Sequence, residues 1–182
     1  MSRAVFGHRR AIAHLQMAWP ELIGYFDRIL AGNRSVAAMT RLAALLTAAT
    51  VMLPLHFSKV EHRFCLGVLR YLPQFLAFLQ AEPTPRQRYP LQQATGEILP
   101  AIAAVALASG ADGVAIRPWL DRWLRPGPPL PVSGNDLQAA LALRPGPTVG
   151  ALLTELAIAQ AEGHILDRDS AIAYSRRWLA PS

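Results

Sequence analysis

At 182 residues, with a net charge of +6 and a pI near 10.4, the chain is long enough for one or two domains with real cores. A composition 52% hydrophobic and only 16% charged excludes a disordered chain, and a single cysteine, Cys65, excludes a disulfide framework or a thiolate metal site. The positive charge is almost wholly arginine, with Lys59 the only lysine, and a domain this basic points to a polyanion such as nucleic acid as its partner.

Strand signals are scarce and helical periodicity dominates, so the expected fold is all-α. A first helix is predicted over His8–Ala18, closed by Trp19-Pro20, and a second over Pro20–Ala31, stopped by Gly32-Asn33. Ser35 caps a third, Val36 to about Ala49, and Pro54 ends that region. Ser58 and Glu61 form a capping box for a fourth helix. At about 100° per residue, Val60, Phe64, Cys65, Val68, Leu69 and Leu72 share its apolar face, while Lys59, Arg63 and Arg70 share the opposite one. Pro73 is expected to kink or restart this helix. Thr84 caps the next, with Pro85 at its first position and a break near Pro90, and helix resumes from Glu97 to Ala108.

Ser109–Gly113 is rich in small, permissive residues and marks the expected domain boundary, giving domains 1–110 and 111–182. Beyond it lie a short helix with Trp119 and Trp123, and a proline-rich linker over 125–132. Ser133-Gly134-Asn135-Asp136 caps a helix to about Leu143. Pro147 starts a longer one to Glu162, where Gly163 takes the left-handed cap and Ile165 folds back. Asp167 or Asp169 caps the last helix, Ser170–Leu179. The basic start, Met1–Arg10, has no apolar run behind it, so no secretory signal is expected. Leu42–Phe57 and Ile98–Ile116 are too short or too interrupted to span a membrane. A cytoplasmic protein with no membrane partner is the expectation.

The richest local signal is Arg144-Pro145-Gly146-Pro147-Thr148-Val149-Gly150. It leads straight into a helix start, where unpaired N–H groups at Gly146, Thr148 and Val149 and the neighbouring Arg144 make a phosphate seat. Taken alone, the same loop reads first as an ordinary capped helix start, since most helix starts hold no ligand. The Lys59/Arg63/Arg70 stripe likewise reads as a solvated helix face or as a set of phosphate contacts. Asp167-Arg168-Asp169 pairs two carboxylates, but at a helix start, where aspartate serves as a cap. No two of His8, His14, His56, His62 and His164 stand at the i,i+4 ligand spacing, and no metal or other cofactor is expected. Cys65, on the apolar face of its helix, is a core residue rather than a nucleophile. Trp119 and Trp123 could stack on bases or anchor a small domain to its neighbour. No Walker loop, Gly-x-Gly-x-x-Gly or Gly-x-Ser-x-Gly occurs, so no self-contained active site is visible.

Gly134, Asp136-Leu137, Pro145-Gly146-Pro147, Val149-Gly150, Leu152-Leu153, Leu156, Ala159, Gly163 and Asp167-Arg168 together resemble the tail of bacterial class II tRNA nucleotidyltransferases, the CCA-adding and poly(A)-polymerase-like enzymes. More weakly, Leu42–Leu46, Phe57-Ser58 to Leu69, Thr84-Pro85-Arg86 with Tyr89, and Trp119-Leu120-Asp121 resemble the helical body of that family. Ala142 stands where the family usually has glycine, and alanine there costs about 1 kcal/mol if the position is left-handed. The resemblance implies a chain that begins within the body. The family's Gly-Gly or Gly-Ser loop, strand-borne Asp-x-Asp and Glu-Asp-x-x-Arg motif are absent, so no catalysis by this chain alone is expected. What it implies instead is binding of tRNA or another structured RNA through its backbone, with Arg144, Gly146, Thr148, Val149, Lys59, Arg63 and Arg70 at the phosphates. The alternatives are docking on a separately encoded catalytic head, or a split-gene remnant that binds no RNA.

Overall fold

The computed structural model describes residues 3–47, 57–81 and 83–180, and among them the fold is all-α, with one isolated antiparallel bridge between Ile29 and Ser35. The expected helix end at Ala49, the break at Pro54 and His56 lie outside the described residues. The chain divides into two compact units, Met1–Glu82 with Leu91–Arg125, and Pro83–Pro90 with Pro126–Ser182.

The first unit is built around α6 (Leu99–Ala108), whose residues Leu99 to Ala106 are all buried. It packs against α1 (Arg3–Ala18), α3 (Val36–Thr47), α4 (Lys59–Ala81) and α7 (Gly113–Leu124). A helix apolar on every side must sit at the centre, and the alanines at 101, 103, 104 and 106 let its neighbours approach closely. Lys59–Ala81 and Pro85–Ala108 are each long and apolar enough, by length and composition, to cross a membrane. In this structure their apolar faces supply Phe64, Val68, Phe75, Leu99 and Ile102 to the core of the unit.

Several helix limits differ from the sequence expectation. α2 (Leu22–Asp27) ends four residues before Ala31 because the backbone turns into a tight loop. There the Leu30 N–H donates to Arg34, the Val36 N–H to Arg28, and Gly32 and Asn33 take φ of 121° and 66°. Ser35 caps α3 through the Ala38 N–H at 3.2 Å. α4 runs unbroken through Pro73. A proline inside a helix costs about 3 kcal/mol, but Leu72 and Phe75 on either side are buried, and each contributes roughly 1.5–3 kcal/mol. α5 (Pro85–Thr95) likewise passes Pro90, and the turn comes later, as a single 3₁₀ turn over Gly96–Ile98. The Ser109–Gly113 turn joins α6 to α7, with Asp112 accepting from the Val114 N–H at 2.9 Å. Trp119 is buried in this first core, edge-on to Phe75 at 5.2 Å and stacked on Phe78 at 6.2 Å. The Trp123 indole donates to the Gly96 carbonyl at 2.9 Å.

In the second unit α8 (Gly134–Leu141), α9 (Pro147–Ala161) and α10 (Arg168–Leu179) close on Leu137, Leu152, Leu156, Ala159, Ile165 and Ala171. The caps decide where each helix starts and stops. Ser133 and Asp136 form a reciprocal box at α8, and Asp167 and Ser170 form another at α10. Hydrogen bonds from the Ser170 N–H and hydroxyl hold the Asp167 carboxyl below its ordinary pKa. At the end of α9 the His164 N–H reaches Ala159 and the Gly163 N–H reaches Gln160, around a left-handed Gly163 with φ of 81°. This double closure turns Ile165 back into the core. Arg86, at the start of α5, donates two bonds to Glu155 at 2.8 and 2.6 Å, and the Tyr174 hydroxyl donates to Glu155 at 2.7 Å. The Glu155 carboxyl is held below its usual range chiefly by Arg86.

Ala142 is left-handed, with φ of 53°. An L-residue with a Cβ loses roughly 1–2 kcal/mol there, against the roughly 0.5–1 kcal/mol that glycine's freedom costs on folding. Ala142→Gly is therefore expected to stabilise the protein by about 0.5–1 kcal/mol. Denaturant unfolding should show a higher midpoint at unchanged slope. An unchanged or lower midpoint would mean that this turn carries no strain for glycine to relieve.

Candidate nucleic-acid interface

The N-terminus of α4 is set by one buried carboxylate. Glu61 is wholly shielded from solvent and accepts from the Ser58 N–H at 2.8 Å and from Arg34 Nη1 at 3.0 Å. The Glu61 N–H in turn donates to Ser58 Oγ at 3.2 Å, and the Ser58 hydroxyl donates to the Ala31 carbonyl. The Ser58 N–H, assisted by Arg34, keeps the Glu61 carboxyl below its ordinary pKa against the opposing pull of burial. The loop between α2 and α3 folds directly over it. A Cβ on Gly32 would stand 2.4 Å from Glu61 Oε2, so only glycine fits there, at a φ that glycine alone adopts easily. This contact fixes the loop that carries Arg28 and Leu30 to the start of α4.

From that start the helix presents two faces. Phe64, Cys65, Val68, Leu72 and Phe75 are buried. Burial pushes the Cys65 thiol up to about 11, so it is held protonated in the core. Val60 departs from the expected apolar face, at 45% exposed, and Leu66 is 42% exposed.

Lys59, Arg63 and Arg70 all line one open groove of about 920 Å³ within the first unit. His62, Leu66, Gly67 and Tyr71 of α4 share it. Arg28 and Leu30 reach it from the α2–α3 loop, and Ala94, Thr95, Glu97 and Ile98 from the end of α5 and the turn after it. Among the described residues none of Lys59, Arg63 and Arg70 is in an ion pair, whereas Arg28 is paired with Glu97 at 3.0 Å. The Arg70 guanidinium lies over the Tyr71 ring, 5.5 Å from its centroid. The groove therefore combines unneutralised cations at its rim with an apolar floor.

Arg144, Gly146, Thr148 and Val149 belong to the second unit. Arg144 is exposed and in no ion pair among the described residues. Gly146 is the N-cap of α9 in extended backbone, with Pro147 first in the helix, as the sequence indicates. Gly146 and Thr148 are exposed. Val149 differs from expectation, because its N–H donates to the Gly146 carbonyl at 3.1 Å and its side chain is buried. A Cβ on Gly134 would lie 3.4 Å from Val149 Cγ1, so Val149 packs α9 onto α8.

Sequence reasoning missed Arg28, Leu66, Gly67, Tyr71 and Ile98 as groove residues. For Leu66 the signal was present: it stands three after Arg63 and four before Arg70, inside the basic stripe. Arg28 and Ile98 come from segments distant in the chain, and no local pattern announces them.

No protein-family profile and no solved structure matches the chain. It is similar to a CC-adding tRNA nucleotidyltransferase of Synechocystis sp., at 35% identity over 129 residues. The match takes in 67% of this chain and 31% of that relative's length. By this similarity the chain belongs to the tRNA nucleotidyltransferase family and corresponds to a C-terminal region of it.

Proposed function

We propose that the chain is an RNA-binding part of a tRNA nucleotidyltransferase-like protein, holding tRNA or a similarly structured RNA by its backbone and performing no nucleotidyl transfer alone. The observation that carries this reading is the groove, where three cations of one helix, none in an ion pair among the described residues, face the same space. Such cations repel one another and persist best when an anion completes them. The name of the similar protein makes tRNA the first RNA to test. Arg144 and the exposed Gly146 and Thr148 are a second set of phosphate contacts in this reading.

The test is a titration of whole tRNA at several salt concentrations. Affinity should fall steeply, with log K linear in log salt, because each phosphate contact releases counterions. Arg144→Ala should weaken binding about equally for all RNA sequences and reduce the salt slope by about one contact. Binding that is absent or indifferent to salt would remove the proposal. A second reading, docking on a separately encoded catalytic chain, is favoured by exposed apolar residues such as Met17 at 84% and Leu166 at 86%. Co-purification with such a chain, without RNA affinity, would support it instead.

A further inference from the structure

The geometry points to a more specific occupant for the groove of the first unit: a short single-stranded segment of RNA, with bases on the apolar floor and phosphates on the cationic rim. This rests on the RNA reading above and sharpens it. Contact with a duplex backbone needs cations alone. This groove offers more, because Leu66 lies between Arg63 and Arg70 on the same helical stripe and is 42% exposed, and Val60 beside Lys59 is 45% exposed.

Apolar residues placed between cations on an exposed face have no use for a phosphate. They suit the flat, weakly hydrated face of an unstacked base, which every nucleotide carries next to its charge. Gly67 deepens the floor. A Cβ at that position would stand 2.7 Å from Ile98 Cδ1, so the missing side chain brings Ile98 close under the groove. The volume of about 920 Å³ lies within the roughly 300–1,000 Å³ range of ligand clefts, enough to take unstacked bases. An acidic amphipathic helix of a protein partner would satisfy the same charges, but the nucleotide matches both features within one repeating unit.

The experiment compares a fluorescent, unstructured single-stranded RNA of about 16 nucleotides with a duplex of about eight base pairs, equal in charge, each titrated with the whole chain by anisotropy across salt. The single strand should bind about tenfold more tightly than the duplex. Leu66→Ser should remove most of that preference at an unchanged salt slope, with duplex affinity untouched as the control for folding. Val60→Ser is a second floor variant with the same expectation. Arg63→Ala should instead lower the single-strand slope by about 0.7. If duplex and single strand bind alike, or both serine variants leave single-strand affinity within about twofold of the parent, the groove takes backbone only and this inference fails while RNA binding stands. Salt-insensitive or absent binding of every RNA would overturn both, as would an acidic protein segment that fills the groove in place of RNA.

Discussion

Replacing Lys59, Arg63 and Arg70 together by alanine should lower RNA affinity about 100-fold near 0.15 M salt and reduce the slope of log K against log salt by about 2–3. The magnitude follows from the geometry. All three side chains line one groove, and none is in an ion pair among the described residues. Each contact contributes about 0.7–0.9 to the slope. Contacts that are spent near 1 M salt, where screening reaches only about 3 Å, are worth roughly 100-fold for three of them at 0.15 M. The protein should stay folded, since all three residues are exposed and their replacement removes mutual repulsion. Arg28→Ala is the informative companion. Arg28 is already paired with Glu97, so its loss also releases a carboxylate into the groove rim, and the slope should change by no more than one contact. A triple variant that binds tRNA with parental affinity and slope would show that α4 is only a solvated face.

Much of the fold was legible because its punctuation is local. Ser58 with Glu61, Ser133 with Asp136, and Gly163 with Ile165 each act over three residues or fewer, and the structure forms all three as read. Prolines were harder. Pro73 and Pro90 signal a break by their own chemistry, yet α4 and α5 continue through them. What overrides them is burial of Leu72, Phe75 and Leu91, contacts made with residues far along the chain. The end of α2 at Asp27 was hidden for a similar reason, since the loop after it is held by Arg34 and by Glu61, a residue on another helix. The groove divides the same way. Its cationic wall follows from 100° spacing along one helix. Its other wall, from Ala94 to Ile98, exists only once α4 and the turn before α6 are packed together.

Phe75→Ala should cost the protein about 3–5 kcal/mol, a fifth or more of the roughly 5–15 kcal/mol that holds a domain together. Phe75 is fully buried, two residues past Pro73, and edge-on to Trp119 at 5.2 Å. Its removal leaves a void between α4 and α7 that rigid neighbours fill only in part, while the helix still bears the cost of its internal proline. Phe75→Leu keeps most of the volume and should cost much less. Denaturant unfolding gives the stability, and RNA titration at a temperature where all variants are folded gives the function. Phe75 belongs to the inner face of α4 and Arg63, Leu66 and Arg70 to the outer, so affinity in the folded state should stay within about twofold of the parent. The surface triple should do the reverse, losing affinity at unchanged stability. One helix thus carries two separable tasks, and the pair of variants measures them independently. A Phe75→Ala protein that keeps its stability would deny the core role of the inner face. One that loses RNA affinity while fully folded would mean that the groove depends on the packing beneath it, and that the two faces of α4 act as one.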